Sequence, residues 1–293
     1  MIITALLTCL TMLTCSAPIT TETAQRRDFT ERDEINRTYQ LAPGAHVEVS
    51  SIRGPVEITT GDSATAEVQI IRIARNRADL EYHKIEVEQT ANGLVVRGER
   101  EPEQRQRENI QVNHHVILKL PRRVDLTVSS VSGSLKIGDI DGQATAHSIS
   151  GSGTIGNIGG KLEVSSISGN LEVGNVGGDA RVKSISGNLG LGQVNGSLDV
   201  QSVSGGVHAT LLSLSPQGIH IRSVSGSIEI GFKSEVNADF NAESVSGDVY
   251  LNMPNVTREG NEKSSSNVRA RIGGGGTPIS ISSVSGNIRL KQS

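Results

Sequence analysis

A chain of 293 residues with net charge −3, 35% hydrophobic and only 2% aromatic, carries no electrostatic footprint for nucleic acid or an acidic membrane surface. Three phenylalanines, three tyrosines and no tryptophan leave few rings to stack on bases or sugars. The same low aromatic content argues against one large core and for many thin layers of small aliphatic residues.

The opening MIITALLTCLTMLTCSAPITTETAQ holds an apolar run from Ile2 to Cys15. It is too short to span a bilayer but suits the apolar region of a secretory signal, although no basic residue precedes it. Residues 1–17 are therefore expected to direct export, to the periplasm, envelope or surface of a bacterium. Cys9 and Cys15 are the only cysteines, so the exported body would hold no disulfide. Met12-Leu13-Thr14-Cys15 loosely resembles the lipidation site of bacterial lipoproteins. Cys15 then either carries a lipid anchor, the only membrane attachment expected, or leaves with a cleaved signal.

Residues 18–38 are polar and charged without apolar periodicity and read as a solvated linker. From Tyr39 the pattern alternates, through HVEVSSIRGPVEIT, AEVQIIRI, KIEVE, GLVVRG and NIQVNHHVILKLP, predicting short strands between Gly, Pro and charged turns. The stretch GEREPEQRQREN (98–109) reads as a hairpin loop, and NRADLEYHK (76–84) as at most one or two helical turns. Residues 39–129 form a strand-rich lead-in or cap.

The motif Ser-[Val/Ile]-Ser-Gly begins at Ser130, Ser148, Ser166, Ser184, Ser202, Ser223, Ser244 and Ser283, first at intervals of 18 residues, then 21, then 39. A fixed period that stretches by insertion is the signature of solenoid coils. Inside each coil lies a finer repeat of nine, as in SISGNLEVG followed by NVGGDARVK. Spacing of two within Leu171/Val173 and Ala180/Val182 points each pair to one face of a strand. Steps of three or four between pairs are read as bends, with Gly169 and Gly178 supplying backbone freedom. The predicted fold is an all-β parallel solenoid of 18-residue coils, each made of two nine-residue halves, over 130–293. SIRGPVEIT (51–59) already fits the template.

On this reading Ile167 and Ile185 face inward, and the serines beside them form two outward columns. Glu163, Arg181 and Asp199 should stack as a charge-alternating column, with Lys161 and Asp179 as a similar pair.

The SxSG repeats, the stretch LPRRVDLTVSSVSGSLKI and the late RIGGGGTPISISSVSGNIRL together resemble the bacterial "putative adhesin" domain of unknown function, over roughly residues 39–293. That resemblance implies an exported or envelope β-repeat protein and no catalytic residues. The period also resembles bactofilin-type filaments, so self-assembly is the alternative reading.

Calcium-binding β-rolls need repeated Asp turns, whereas Asp139 and Asp141 occur in one coil only, and Asn157, Asn175 and Gln193 replace Asp139 further on. No cofactor or metal is expected. A polysaccharide-acting enzyme would need an acid–base set in a cleft. Its candidates Lys136, Glu172 and His208 fall two coils apart, and His114 and His115 point to opposite sides of a strand. An ordered serine array also suits an ice-binding face, but serine lacks the methyl of threonine, and turn hydrogen bonding explains it better.

The sequence therefore predicts a non-enzymatic envelope protein, adhesin-like or scaffolding, that recognises a protein or polysaccharide ligand. The segment NVTREGNEKSSSNVRARIGGGG (255–276) reads as an inserted loop and the candidate binding element, through Arg258, Lys263, Arg269 and Arg271. The last motif is taken as an uncovered rung at the chain's end, predisposed to end-to-end homodimers through Ile288 and Leu290.

Overall fold

The fold is described by a computed structural model that covers residues 31–100, 112–259 and 265–292. Alternating apolar and polar residues make nearly all of it strand. The first part comprises β1 (Glu31–Gln40), β2 (Ala45–Arg53), β3 (Val56–Gly61), β4 (Thr65–Ala74), α1 (Arg77–Tyr82), β5 (His83–Thr90), β6 (Gly93–Arg100) and β7 (Val112–Pro121). Coils of one longer and one shorter strand follow: β8 (Val124–Ser132) and β9 (Leu135–Ile137), β10 (Ala144–Ser150) and β11 (Gly153–Ile155), β12 (Leu162–Ser168) and β13 (Leu171–Val173). The next are β14 (Ala180–Ser186) and β15 (Leu189–Val194), β16 (Leu198–Ser204) and β17 (Val207–Leu211), β18 (Ile219–Ser225) and β19 (Ile228–Phe232). The chain ends with β20 (Ala238–Ser246) and β21 (Val249–Asn252), the pair β22 (Val256–Glu259) and β23 (Asn267–Ile272), and finally β24 (Thr277–Ser285) and β25 (Ile288–Gln292).

The longer strands stack into a thirteen-stranded sheet, β22-β23-β20-β24-β18-β16-β14-β12-β10-β8-β2-β6-β5. The shorter strands of the coils stack, with the ten-residue β1, β4 and β7 at one end, into a twelve-stranded sheet, β1-β4-β7-β3-β9-β11-β13-β15-β17-β19-β25-β21. Between β8 and β16 the pairing is parallel, and each residue meets the one 18 positions on, as Leu162 meets Ala180 and Val164 meets Val182. The architecture is thus a parallel β-solenoid. Inward residues of the two sheets, among them Leu171, Val173, Ala180 and Val182, fill the thin interior. A third inward row, Ile140, Ile158, Val176 and Val194, is linked by single bridges at the turn between them. At about 4.8 Å per rung, thirteen strands extend for roughly 58 Å.

Amide side chains tie the turns of successive coils together. Asn175 N–H donates to the Asn157 side-chain oxygen at 2.9 Å, and Gln193 N–H to that of Asn175 at 2.9 Å. The Asn170–Asn188–Gly206 column repeats the device at 3.0 and 2.9 Å. Each bond satisfies a turn N–H that parallel pairing leaves over.

Three expectations require correction. Residues 31–38, read as linker, lie in β1, which pairs antiparallel with β4. Charge holds that edge strand in place: Arg72 pairs with Asp33, and Gln69 donates to Glu34 at 2.7 Å, a bond that lowers the Glu34 pKa. Apolar periodicity therefore could not reveal it. Second, β6, which takes in residues 98–100, and β7 lie in different sheets and do not pair with each other as the arms of a hairpin. Most of the stretch 98–109, like the signal and Cys15, is outside the described residues.

The lead-in is itself partly solenoidal, since β2 and β3, which hold SIRGPVEIT (51–59), sit in parallel register beside β8 and β9. Antiparallel β4, β1 and β5 then close that end. Third, the last coil is not last in space. β24 lies between β18 and β20, and β25 between β19 and β21, all parallel. The chain skips one rung to lay down β20 and β21, builds the antiparallel pair β22–β23 over them, and returns to fill the gap. Ile288 and Leu290 are fully buried there, which removes the premise of an exposed C-terminal rung.

Candidate functional site

The outer surface follows from the phase of the longer strand. In β12 Leu162 and Val164 point inward, and strict alternation then sends Ser166 inward and Ile167 outward. The strand extends to Ser168, with Ile167 and Ser168 both exposed, and the turn that follows it begins at Gly169 (φ 123°). The expected faces are therefore reversed at the SxSG motif. The step of three from Val164 to Ile167 is a change of side, not a bend. The first serine of each motif is the inward one, and Ser130, Ser166, Ser184, Ser202, Ser223, Ser244 and Ser283 are all buried.

A small residue fits at this position because the corner is crowded by backbone. A Cβ on Gly169 would lie 2.1 Å from the Gly151 carbonyl oxygen of the preceding coil. At the far end Ser244 donates to the Gly286 carbonyl at 3.0 Å, whereas the hydroxyls of Ser148, Ser184, Ser202, Ser223 and Ser283 meet no protein hydrogen-bond partner among the described residues.

The residue between the serines faces water. Ile149, Ile167, Ile185, Val203, Val224 and Val284 are each 47–51% exposed, and Val245 is 81% exposed. Their serine neighbours pair in register from coil to coil, Ser166 with Ser184 and Ser168 with Ser186, so these side chains form one continuous ladder. Two residues earlier on the same outer face run Ser129, His147, Ser165, Lys183, Gln201 and Arg222. Between this row and the ladder lies a groove of about 680 Å³. Its lining holds three basic side chains and no carboxylate. Isolated apolar surface residues need no explanation, but a contiguous row of this kind does.

The expected charged columns stand where the period put them. Glu163 faces Arg181, and Arg181 bonds Asp199 at 3.4 Å. Lys161 lies one rung from Asp179, as expected, but its ion pair is with Glu163 at 3.5 Å. Asp179 accepts the Ser197 backbone N–H and hydroxyl, both at 2.7 Å, and these bonds hold its carboxyl below the ordinary value.

Lys136, Glu172 and His208 share an outward column of the shorter-strand sheet, with Thr154 and Gly190 between them. Lys136 bonds Glu57 at 2.9 Å and depresses its pKa, so that amine belongs to a structural pair. His114 is buried and His115 sits on the opposite side of β7. The structure does not gather these groups into one site. Among the described residues no three metal-ligating side chains cluster, and no helix is long and apolar enough to cross a membrane.

The inserted segment is largely a cap. Arg258 lies on β22, and Arg269 and Arg271 on β23, while Lys263 is outside the described residues. Val268, Ala270 and Ile272 on the other face of β23 close the solenoid interior. Arg271 is committed to Asp239 at 3.5 Å and Glu259 at 3.3 Å.

A family model describing the Toastrack domain, DUF4097, matches residues 45–291, nearly the whole stack. The chain belongs to the Toastrack DUF4097 family. The start of the match coincides with β2, the first strand of the coil stack. Solved structures similar to this Toastrack chain include a "putative adhesin" from Bacteroides fragilis, 15% identical, covering 88% of this chain and 97% of the other with a TM-score of 0.48. A "putative cell adhesion protein" from Clostridium sporogenes is 12% identical and covers 90% and 100% at a TM-score of 0.33. A "putative lipid binding protein" from Parabacteroides distasonis is 10% identical and covers 88% and 96% at 0.29. None of the curated proteins compared with this chain matches it in sequence.

Proposed function

We propose that this Toastrack protein is a non-catalytic, exported binding platform of the bacterial envelope, whose recognition surface is the aliphatic ladder with its basic flank. The observation that carries this reading is the row of half-exposed Ile and Val side chains, held at one rung spacing by a scaffold with no evident need to expose them. Fully burying one such side chain contributes ~1.5–3 kcal/mol, so leaving about half of it in water along the whole row forgoes stability that a bound partner would restore. The adhesin names of similar structures agree with a surface role. Arg258 and Arg269 are secondary to it, because their hairpin caps the interior. The charged outer columns, matched from coil to coil, serve register and not chemistry.

The test is binding of the purified full chain to envelope fractions of its own host. The double variant Ile167→Ser/Ile185→Ser should lose most of the binding while keeping the β-sheet circular dichroism signal. An Arg258→Ser/Arg269→Ser variant should retain it. Binding that survives the first change and disappears with the second would return the recognition role to the hairpin.

A further inference from the structure

The groove restricts what can occupy it. Its ladder spans six rungs from Val131 to Val224, about 24 Å at ~4.8 Å per rung, and it runs straight along the solenoid axis. Its volume of about 680 Å³ falls in the range of small-ligand sites, ~300–1,000 Å³. One wall is purely aliphatic. The other presents His147, Lys183 and Arg222 on alternate rungs, separated by Ser165 and Gln201.

An extended peptide is a poor occupant. The backbone beneath the groove is already consumed in parallel pairing from β8 through β18, so a strand laid along it would find no main-chain partner. A second copy of the chain would bring the same basic wall and no carboxylate to offset it. A stable dimer also needs about 800 Å² from each partner, more than one row of half-exposed side chains supplies. A polysaccharide would ask for hydrogen-bonding groups and ring faces, where the ladder offers only methyl groups.

We propose that the groove binds a single-chain anionic amphiphile, a long-chain fatty acid or its equivalent, with the acyl chain along Ile149, Ile167, Ile185 and Val203 and the anionic head against Lys183 or Arg222. An acyl chain needs no hydrogen bond from the scaffold. It buries the apolar ladder along its length, and its one charge is of the sign the wall lacks. Arg222 and Lys183 form no ion pair among the described residues, so both are available. This proposal rests on the ladder being the recognition surface and adds the class of ligand.

The experiment is calorimetric titration of the full chain with palmitate below its aggregation concentration, beside cetyltrimethylammonium, which has the same chain length and opposite charge. Palmitate should bind saturably. Ile167→Ser/Ile185→Ser should weaken it at least tenfold, Lys183→Glu/Arg222→Glu likewise, and the cationic amphiphile should bind at least tenfold more weakly than palmitate. Urea midpoints of both variants, near that of the parent, confirm that they fold. Absence of palmitate binding, or binding indifferent to the ladder variant, overturns the proposal. So does equal binding of the cationic amphiphile, or co-sedimentation with phosphatidylglycerol vesicles without palmitate binding, which would make the ladder a membrane-docking edge. If envelope binding depends on the ladder while palmitate fails, the ligand class is wrong and the binding platform stands.

Discussion

Replacing Val182 and Ile185 in turn by aspartate measures which way the repeating strand faces. The two residues are three apart on β14, and both are aliphatic. Val182 is fully buried, whereas Ile185 is 51% exposed. Val182→Asp forfeits the ~1.5–3 kcal/mol of a buried aliphatic side chain. It also places a carboxyl in an interior without a polar partner, which costs several kcal/mol more whether the group stays charged or takes up a proton. The sum exceeds about 4 kcal/mol, the exceptional end of single substitutions. Ile185→Asp loses only about half of one burial term, ~1 kcal/mol, and its carboxylate stays in water near Lys183. Urea unfolding followed by circular dichroism should therefore leave the Ile185→Asp midpoint close to that of the parent and lower that of Val182→Asp severely. Because coils contribute by nearest-neighbour contacts, the damaged coil can also unfold as a separate phase. Equal losses at the two positions would refute the strand phase and with it the ladder.

Three further expectations follow from the same geometry. Gly169→Ala places a Cβ 2.1 Å from the Gly151 carbonyl oxygen at a φ of 123°, and should cost more than about 2 kcal/mol, while Gly61→Ala, with open space around it, should be near neutral in the same assay. Leu290→Lys should lower stability by about 3 kcal/mol or more and leave the light-scattering mass unchanged, because Leu290 is buried between β19 and β21; an unchanged midpoint with an altered mass would place that residue at a free end after all. The Asp179 carboxyl, held below its ordinary 3.8 by the Ser197 bonds, contributes stability that is complete above that value and disappears as pH falls through the lower folded one. The midpoint difference between parent and Asp179→Ala should thus be flat above about pH 5 and shrink below pH 4, and a difference that grows on acidification would contradict the assignment.

The period of 18 revealed the stack, its register and most of its interior. Leu171, Val173, Val176, Ala180 and Val182 are inward as their spacing required, and Glu163, Arg181 and Asp199 stack as counted. The nine-residue template failed at one position because it treated every apolar residue as interior. Ser166 is buried and Ile167 exposed because Leu162 and Val164 fix the phase of the same strand. Reading β12 as an alternation from Leu162 as far as Ile167 would have exposed the ladder, and the groove with it. The returning C-terminal coil was less accessible. An interval of 39 residues measures chain between motifs and does not say which rung the later motif fills. The edge strand β1 was hidden for another reason, since its pairing rests on Asp33, Glu34 and their partners and buries little.

The exposed ladder can be read directly by single-cysteine labelling, since Cys9 and Cys15 are the only native thiols and can both be replaced by serine. Cysteines introduced one at a time at Val182, Lys183, Ser184, Ile185 and Ser186 would be timed against a maleimide under native conditions. Positions 183, 185 and 186 should react at the rate of an exposed thiol, and 182 and 184 should be protected until urea unfolds the chain. Rapid labelling at 184 with protection at 185 would turn the ladder inward and contradict the account at its centre.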